Sequence, residues 1–194
     1  MGIRSFLAFE LPTDIKHIVF RVHDEMKRFP LDIKWVKVDN IHLTMIFMGN
    51  ILAEHLQGIG EAAERACNRY GPFNVFLNGA GVFGSKRNPR VLWLGLDGDI
   101  ARMAHFKDSL HEPLKTFGIN EEKRRFNPHL TLGRFRKGVR SGAGLGELLA
   151  KYAALASPMC AFKELILFKS DLKPGGAVYT RLNAWPLRGE SPTV

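Results

Sequence analysis

Short apolar runs bounded by turn residues predict strands over residues 3–10, 33–38, 41–48, 73–83 and 91–97. Between them the apolar period lengthens to that of a helix. Over 14–29 Ile15, Ile18, Val19, Val22, Met26 and Phe29 share one face, with Thr13 placed as N-cap. Over 52–70 Leu52, Leu56, Ile59, Ala63, Cys67 and Tyr70 turn inward. A third helix is predicted over 100–117, capped by Gly118, and Pro113 inside it predicts a kink or an early end. A fourth covers 145–155. Strands return over 128–134, 160–170 and 177–187, the last two joined by the turn Lys173-Pro174-Gly175-Gly176. The glycines of FNVFLNGAGVF (73–83) predict a bulge or kink in that strand.

Strands and helices mixed in this way, with hairpin-length links, predict an α+β fold built on largely antiparallel sheets. No Pro- or Ser-rich linker divides the chain, so residues 1–194 are expected to form a single domain. The two halves echo each other, a helix and then strands. The expected architecture is therefore a bilobal, pseudo-symmetric duplication, with sheets lining a central cleft and helices packed outside.

The echo is sharpest at one tripeptide. His42-Leu43-Thr44 lies in IHLTMIFMG and His129-Leu130-Thr131 in NPHLTLGRF. Among seven His and six Thr, two such pairs arise by accident in roughly one sequence in fifty. Strand alternation puts His42 and Thr44 on one face, and Ile41, Leu43, Met45 and Phe47 on the other, in the core. His129 and Thr131 are displayed likewise, backed by Leu130 and Leu132. Each strip holds an imidazole and a hydroxyl about 6.5–7 Å apart.

Two such strips across a cleft suit phosphate chemistry without metal. Histidine titrates near neutral pH, so one imidazole can act as base and the other as acid. Threonine hydroxyls donate to phosphoryl oxygens where charge develops. Zinc is the chemical rival, but the chain has no His-x-x-x-His or Cys/His cluster and threonine is a poor zinc ligand. No metal and no cofactor are expected.

Charge adds a partner. Net charge is +9, and nucleic acid is the commonest anionic partner of such a surface. Lys86, Arg87 and Arg90 in SKRNPR, and Lys123, Arg124, Arg125, Arg136, Lys137 and Arg140 around the second motif, are candidates to track a backbone. Phe9, Phe83 and Trp35 are candidates to stack a base. The two cysteines, Cys67 and Cys160, form no Cys-x-x-Cys pair, and two reduced thiols are expected. No apolar run reaches membrane-spanning length and no signal-peptide pattern opens the chain, so a cytoplasmic protein, monomeric and away from the membrane, is expected. SGAGLGE (141–147) lacks the spacing of a phosphate loop.

Over nearly its whole length the sequence resembles the 2H phosphoesterase superfamily, and within it the RNA 2′,3′-cyclic phosphodiesterases also called 2′-5′ RNA ligases. The resemblance rests on FLAFELP, IKWVKVDNIHLTMIFMGNI, FGSKRNPRVLWLGL, RRFNPHLTLGRF and LILFKSDLKPGGAVYTRLNAWPL, and above all on the paired His-x-Thr-x motifs. It implies a bilobal α+β fold with the motifs facing across a groove. It implies that His42 donates a proton to the leaving ribose oxygen and that His129 accepts one from water. Thr44, Thr131 and Arg134 are implied to bind the substrate phosphate. The implied substrate is RNA ending in a 2′,3′-cyclic phosphate, tRNA fragments included, opened to a 2′-phosphate. With a 5′-hydroxyl RNA the same site can make a 2′-5′ linkage. Strict alternation puts Arg134 on the face opposite His129, so its implied role requires a bulge at Gly133. Two other readings are a 2H enzyme for a small cyclic nucleotide, such as an ADP-ribose cyclic phosphate, and a nucleotide- or RNA-binding module without catalysis.

Overall fold

The computed structural model describes residues 2–120, 125–136 and 143–190. Nine strands form one antiparallel sheet: β1 (Ile3–Glu10), β2 (Ile33–Trp35), β3 (His42–Ile51), β4 (Phe73–Ser85), β5 (Asn88–Gly98), β6 (His129–Phe135), β7 (Cys160–Phe162), β8 (Glu164–Lys173) and β9 (Gly176–Pro186). Four helices are described: α1 (Thr13–Met26), α2 (Leu56–Cys67), α3 (Ile100–Leu114) and α4 (Ala143–Lys151). The strand order is β7-β4-β5-β6-β3-β1-β8-β9, with β2 beside β6.

That order is pseudo-symmetric about the β6–β3 joint. β3-β1-β8-β9 forms one lobe and β6-β5-β4-β7 the other. The lobes meet where β3 and β6 pair at one position only, Leu43 against Leu130. Each half of the chain lends a strand to the other: β4 lies beside β5, and β8 beside β1. The α+β fold, the two lobes and the helix-backed core are as expected. The two expected sheets are instead one, joined at that single pair.

The helices and one face of the sheet share the main core, which includes Leu7, Phe9, Val19, Leu43, Leu77, Leu94, Phe106 and Leu130. The opposite face carries a smaller cluster of Phe6, Ala8, Ile166 and Phe168, with Tyr179 against it. At about 25 cal/mol per Å² of apolar area, the larger cluster dominates stability. The smaller one shapes the cleft.

Several local expectations are corrected. Pro12, not Thr13, precedes α1, and no side chain caps it; α1 also stops at Met26 rather than reaching residue 29. Leu52 is 49% exposed because the α-helix starts only at Leu56, after a 3₁₀ turn at Ala53–His55. Pro113 sits in the last turn of α3, and a 3₁₀ turn at Lys115–Phe117 carries the chain to Gly118 at φ +75°. The predicted strand over 160–170 is two strands: β7 pairs with β4 and β8 with β1. The expected glycine bulge in β4 is at Gly79, φ +68°, where the register against β5 shifts. Cys67 is buried, Cys160 half-buried, and both are free. Lys123, Arg124, Lys137 and Arg140 lie outside the described residues.

Candidate active site

The Leu43–Leu130 pair fixes the site. Both leucines point into the core. Carrying the antiparallel register one residue each way sets His42 against Thr131 and Thr44 against His129, on the opposite face. The repeated tripeptide is thus one square of four side chains, built across the joint between lobes.

The two histidines are held alike. His42 Nδ1 lies 2.7 Å from the Asn40 carbonyl and His129 Nδ1 lies 2.8 Å from the Asn127 carbonyl. A carbonyl only accepts, so Nδ1 carries the hydrogen in both rings. Nε2 is then the second nitrogen of each ring, the one able to exchange a proton with a substrate. The signal was in the sequence as an Asn two residues before each His. Asn40 also donates its side-chain Nδ2 to the Ala177 carbonyl at 2.8 Å, tying the β8–β9 hairpin to the site.

The surroundings differ. His42 stacks on Phe6, centroids 4.7 Å apart and planes 23° apart, with Tyr179 edge-on at 5.4 Å. Burial, joined by the charge of His129 and opposed by the bond to Asn40, pushes His42 down to about 4. His42 is therefore neutral at pH 7 in the free protein. His129 meets the Phe83 ring edge-on at 4.6 Å, and Phe83 packs on Trp93.

A cavity of about 260 Å³ opens on this face. Its lining includes His42, Thr44, Thr131 and Arg134, together with Arg4, Phe6, Phe47, Ser170 and Tyr179. Arg134 gets there by the bulge its role requires. Leu92 pairs with Gly133 and Trp93 with Thr131, so Leu132 is an extra residue and the side-chain alternation resets. Gly133 keeps a negative φ. What demands glycine there is space, because a Cβ would lie 2.3 Å from the Ile33 side chain.

The same device corrects another expectation. Phe47 is not in the core but 52% exposed, on the cleft face. Leu7 pairs with Ile46 and Ala8 with Thr44, leaving Met45 extra. Met45 and Ile46 are both buried and Phe47 emerges beside Thr44. Sequence alternation could not reveal this, since no glycine marks the shift. Of the candidate stacking rings, Phe9 is fully buried against Phe73, Phe106 and Phe162. Trp35 packs on His23, and only Phe83 reaches a motif histidine. Arg4, Phe47 and Tyr179 were missed. Arg136 pairs with Asp32 at 3.1 Å, while Lys86, Arg87, Arg90 and Arg125 lie on the surface.

Among the described residues no three His, Cys, Asp or Glu side chains gather as a metal site would need. No described helix is long and apolar enough to cross a membrane. One histidine, two hydroxyls and a guanidinium line the cavity, and His129, on the same sheet face by register, is not among its lining residues; such a set can position a phosphoryl group and move protons beside it.

The chain is similar to known proteins in sequence and in fold. Residues 9–93 and 94–179 each match the family described as LigT like Phosphoesterase, one motif per match. An RNA 2′,3′-cyclic phosphodiesterase of Methanothermobacter thermautotrophicus is 32% identical over 187 residues, 96% of this chain and all of that one. The crystal structure of Escherichia coli LigT complexed with 3′-AMP superposes with a TM-score of 0.73 at 26% identity, over 96% of this chain and 99% of that one. A Thermus thermophilus protein, TT0787, shares the fold, with a TM-score of 0.81 at 24% identity, over 97% of this chain and all of that one.

Proposed function

The chain belongs to the LigT-like phosphoesterase family, and from that premise we propose that it hydrolyses 2′,3′-cyclic phosphate ends of RNA to 2′-phosphates, without a metal ion, by two-histidine acid–base catalysis. The observation that supports the reading is the Leu43–Leu130 register, which sets His42 against Thr131 and Thr44 against His129 on one face of the sheet, where His42, Thr44 and Thr131 line the cavity. The relatives named RNA 2′,3′-cyclic phosphodiesterase supply the substrate class.

In this mechanism water attacks phosphorus and His129 Nε2 takes its proton. The bond from phosphorus to the ribose 3′ oxygen breaks, and His42 Nε2 gives that oxygen a proton. Thr44, Thr131 and Arg134 hold the phosphoryl oxygens as charge builds on them. The donor must be charged when the leaving group departs. His42 is neutral in the free protein, so it takes up its proton as the phosphate anion enters and raises its pKa. A 5′-hydroxyl in place of water yields a 2′-5′ linkage. RNA fragments in the cytoplasm, tRNA fragments among them, are the proposed substrates. The proposed acting form is a monomer.

The test is turnover of a short RNA ending in a 2′,3′-cyclic phosphate, in EDTA, for wild type, His42→Ala and His129→Ala, with the product phosphate located. EDTA-resistant opening to the 2′-phosphate, lost in both variants, is expected. Activity that EDTA abolishes, or product carrying a 3′-phosphate, sinks the mechanism.

A further inference from the structure

A bulge like those of β3 and β6 also shapes β5. Phe83 pairs with Val91 and Gly84 with Pro89, so Arg90 is the extra residue. Val91 stands opposite Arg134, on the cleft face. Pro89 is buried and Arg90 exposed, so the bulge leaves Arg90 on that face beside Val91. Its stem passes the residue after Phe83: a Cβ on Gly84 would lie 3.4 Å from Arg90 Cγ. Among the described residues no carboxylate pairs with Arg90.

The neighbouring ring is propped up from the sheet. The Trp93 indole lies on Gly81, where a Cβ would come within 2.3 Å of it. Phe83 packs on Trp93 at 5.5 Å and meets the His129 ring at right angles at 4.6 Å. Phe83 is half-buried and keeps part of its surface open beyond His129. The other lobe also pairs a ring with a guanidinium, Arg4 over Phe47 at 4.6 Å. Phe83 and Arg90 are the second lobe's own pair, and the hydrolysis described above uses neither.

In the proposed mechanism the nucleophile reaches phosphorus from the side of His129, and the ribose oxygen leaves on the side of His42. Water needs no aromatic ring and no cation next to the base that activates it. A nucleoside 5′-hydroxyl has use for both, since a ring supports its base and a guanidinium binds the phosphate on its 3′ carbon. Phe83, Val91 and Arg134 stand in one row across three strands. By strand spacing Phe83 is therefore about 10 Å from Arg134, within the reach of one nucleotide.

We propose that Phe83 and Arg90 form an acceptor subsite for RNA with a 5′-hydroxyl end, the first base resting on Phe83 and its 3′-phosphate held by Arg90. The subsite rests on the proposed function for the reaction it serves. The acceptor's 5′ oxygen bonds to phosphorus as the bond to the ribose 3′ oxygen breaks; the hydroxyl proton passes to His129 Nε2, and His42 Nε2 gives one to the leaving oxygen. Stacking on one ring tolerates any base, so the subsite reads an RNA end rather than its sequence. It also sets the balance between transfer and hydrolysis from the second lobe.

Calorimetry in saturating adenosine 2′-phosphate would compare the dinucleotide adenylyl-3′,5′-adenosine, which has a 5′-hydroxyl, with adenosine on wild type, Arg90→Gln, Arg90→Lys, Phe83→Leu and Phe83→Tyr. Wild type is expected to bind the dinucleotide alongside the monophosphate, about tenfold more tightly than adenosine. Arg90→Gln should erase that difference and Arg90→Lys restore part of it. Phe83→Leu should weaken both ligands severalfold, whereas Phe83→Tyr, which keeps the ring, should bind them as wild type does. With adenosine 2′,3′-cyclic phosphate as donor, the ratio of 2′-5′ transfer to hydrolysis should rise with dinucleotide concentration and fall about tenfold in Arg90→Gln; a ratio cancels any general loss of activity. Exclusion of the dinucleotide by adenosine 2′-phosphate overturns the subsite, as does a dinucleotide preference or a transfer ratio that Arg90→Gln leaves intact. Absence of cyclic-phosphate opening counts against the proposed function alone, since the binding ratios need no reaction.

Discussion

Strands β3 and β6 are the same strip written twice, and their differences are as instructive as their likeness. Both hold His by Nδ1 to a carbonyl two residues back, both show Thr two residues on, and both bulge directly after it. What the bulge delivers differs: Phe47 on β3, Arg134 on β6. The histidines differ as well. His42 is packed under Phe6 and Tyr179 and kept neutral, whereas His129 meets the edge of Phe83. A duplicated backbone has kept its geometry and divided its chemistry.

The largest expected effects test whether the halves are equally needed. His42→Ala and His129→Ala should each lower kcat/KM on a cyclic-phosphate RNA by about 10³-fold or more, within or above the usual range for a general acid or base. The double variant should be little worse than either alone, because the two act in one step. Steady-state kinetics decides, and a variant retaining a tenth of wild-type activity would break the symmetry.

Thr44→Val and Thr131→Val come next, at about 10²-fold each. Equal losses would mean the phosphate sits midway between the strips. Unequal losses would show which lobe carries the developing charge.

The third prediction concerns stability. His42 falls from 6.5 in the unfolded chain to about 4 when folded. Between those values the unfolded state binds more protons, so stability is full above pH 6.5 and is lost as pH falls toward 4. The loss attributable to His42 is roughly 3 kcal/mol. Urea melts of wild type and His42→Gln across that window should converge as pH drops. Parallel curves would refute the assignment.

The smallest effect sharpens the contrast most. The acid limb of kcat/KM should fall near pH 4 rather than near 6.5, whichever histidine donates, since the pair titrates together. Phe6→Leu thins the packing on His42 and should move that limb upward by a fraction of a unit. An unmoved limb would mean that burial by Phe6 is not what holds His42 neutral.

The sequence displayed much of this because two periodicities survive intact. The alternation around His42 and His129 is regular up to each threonine, and there the residues fall where the pattern puts them. It fails past the threonines, where an extra residue flips the faces. Gly133 signalled one bulge; Met45, an ordinary core residue, concealed the other and with it Phe47. Leu52 was misjudged because helical spacing extends one turn beyond the α-helix itself. Arg4 was unreadable for another reason: its meaning comes from Phe47, on a neighbouring strand and more than forty positions away. Long-range pairing creates that contact, and no local pattern carries it.

The exchange of β4 and β8 between lobes has an ancestral consequence. A half-length precursor, corresponding to either family match, would leave the strand before its helix bare along one edge and its last long strand without a home. Two copies trading those strands would close both edges at once. The present chain has the form of such a homodimer fused end to end. Within one chain the two bulges carry different side chains, Phe47 and Arg134, which a pair of identical subunits could not do.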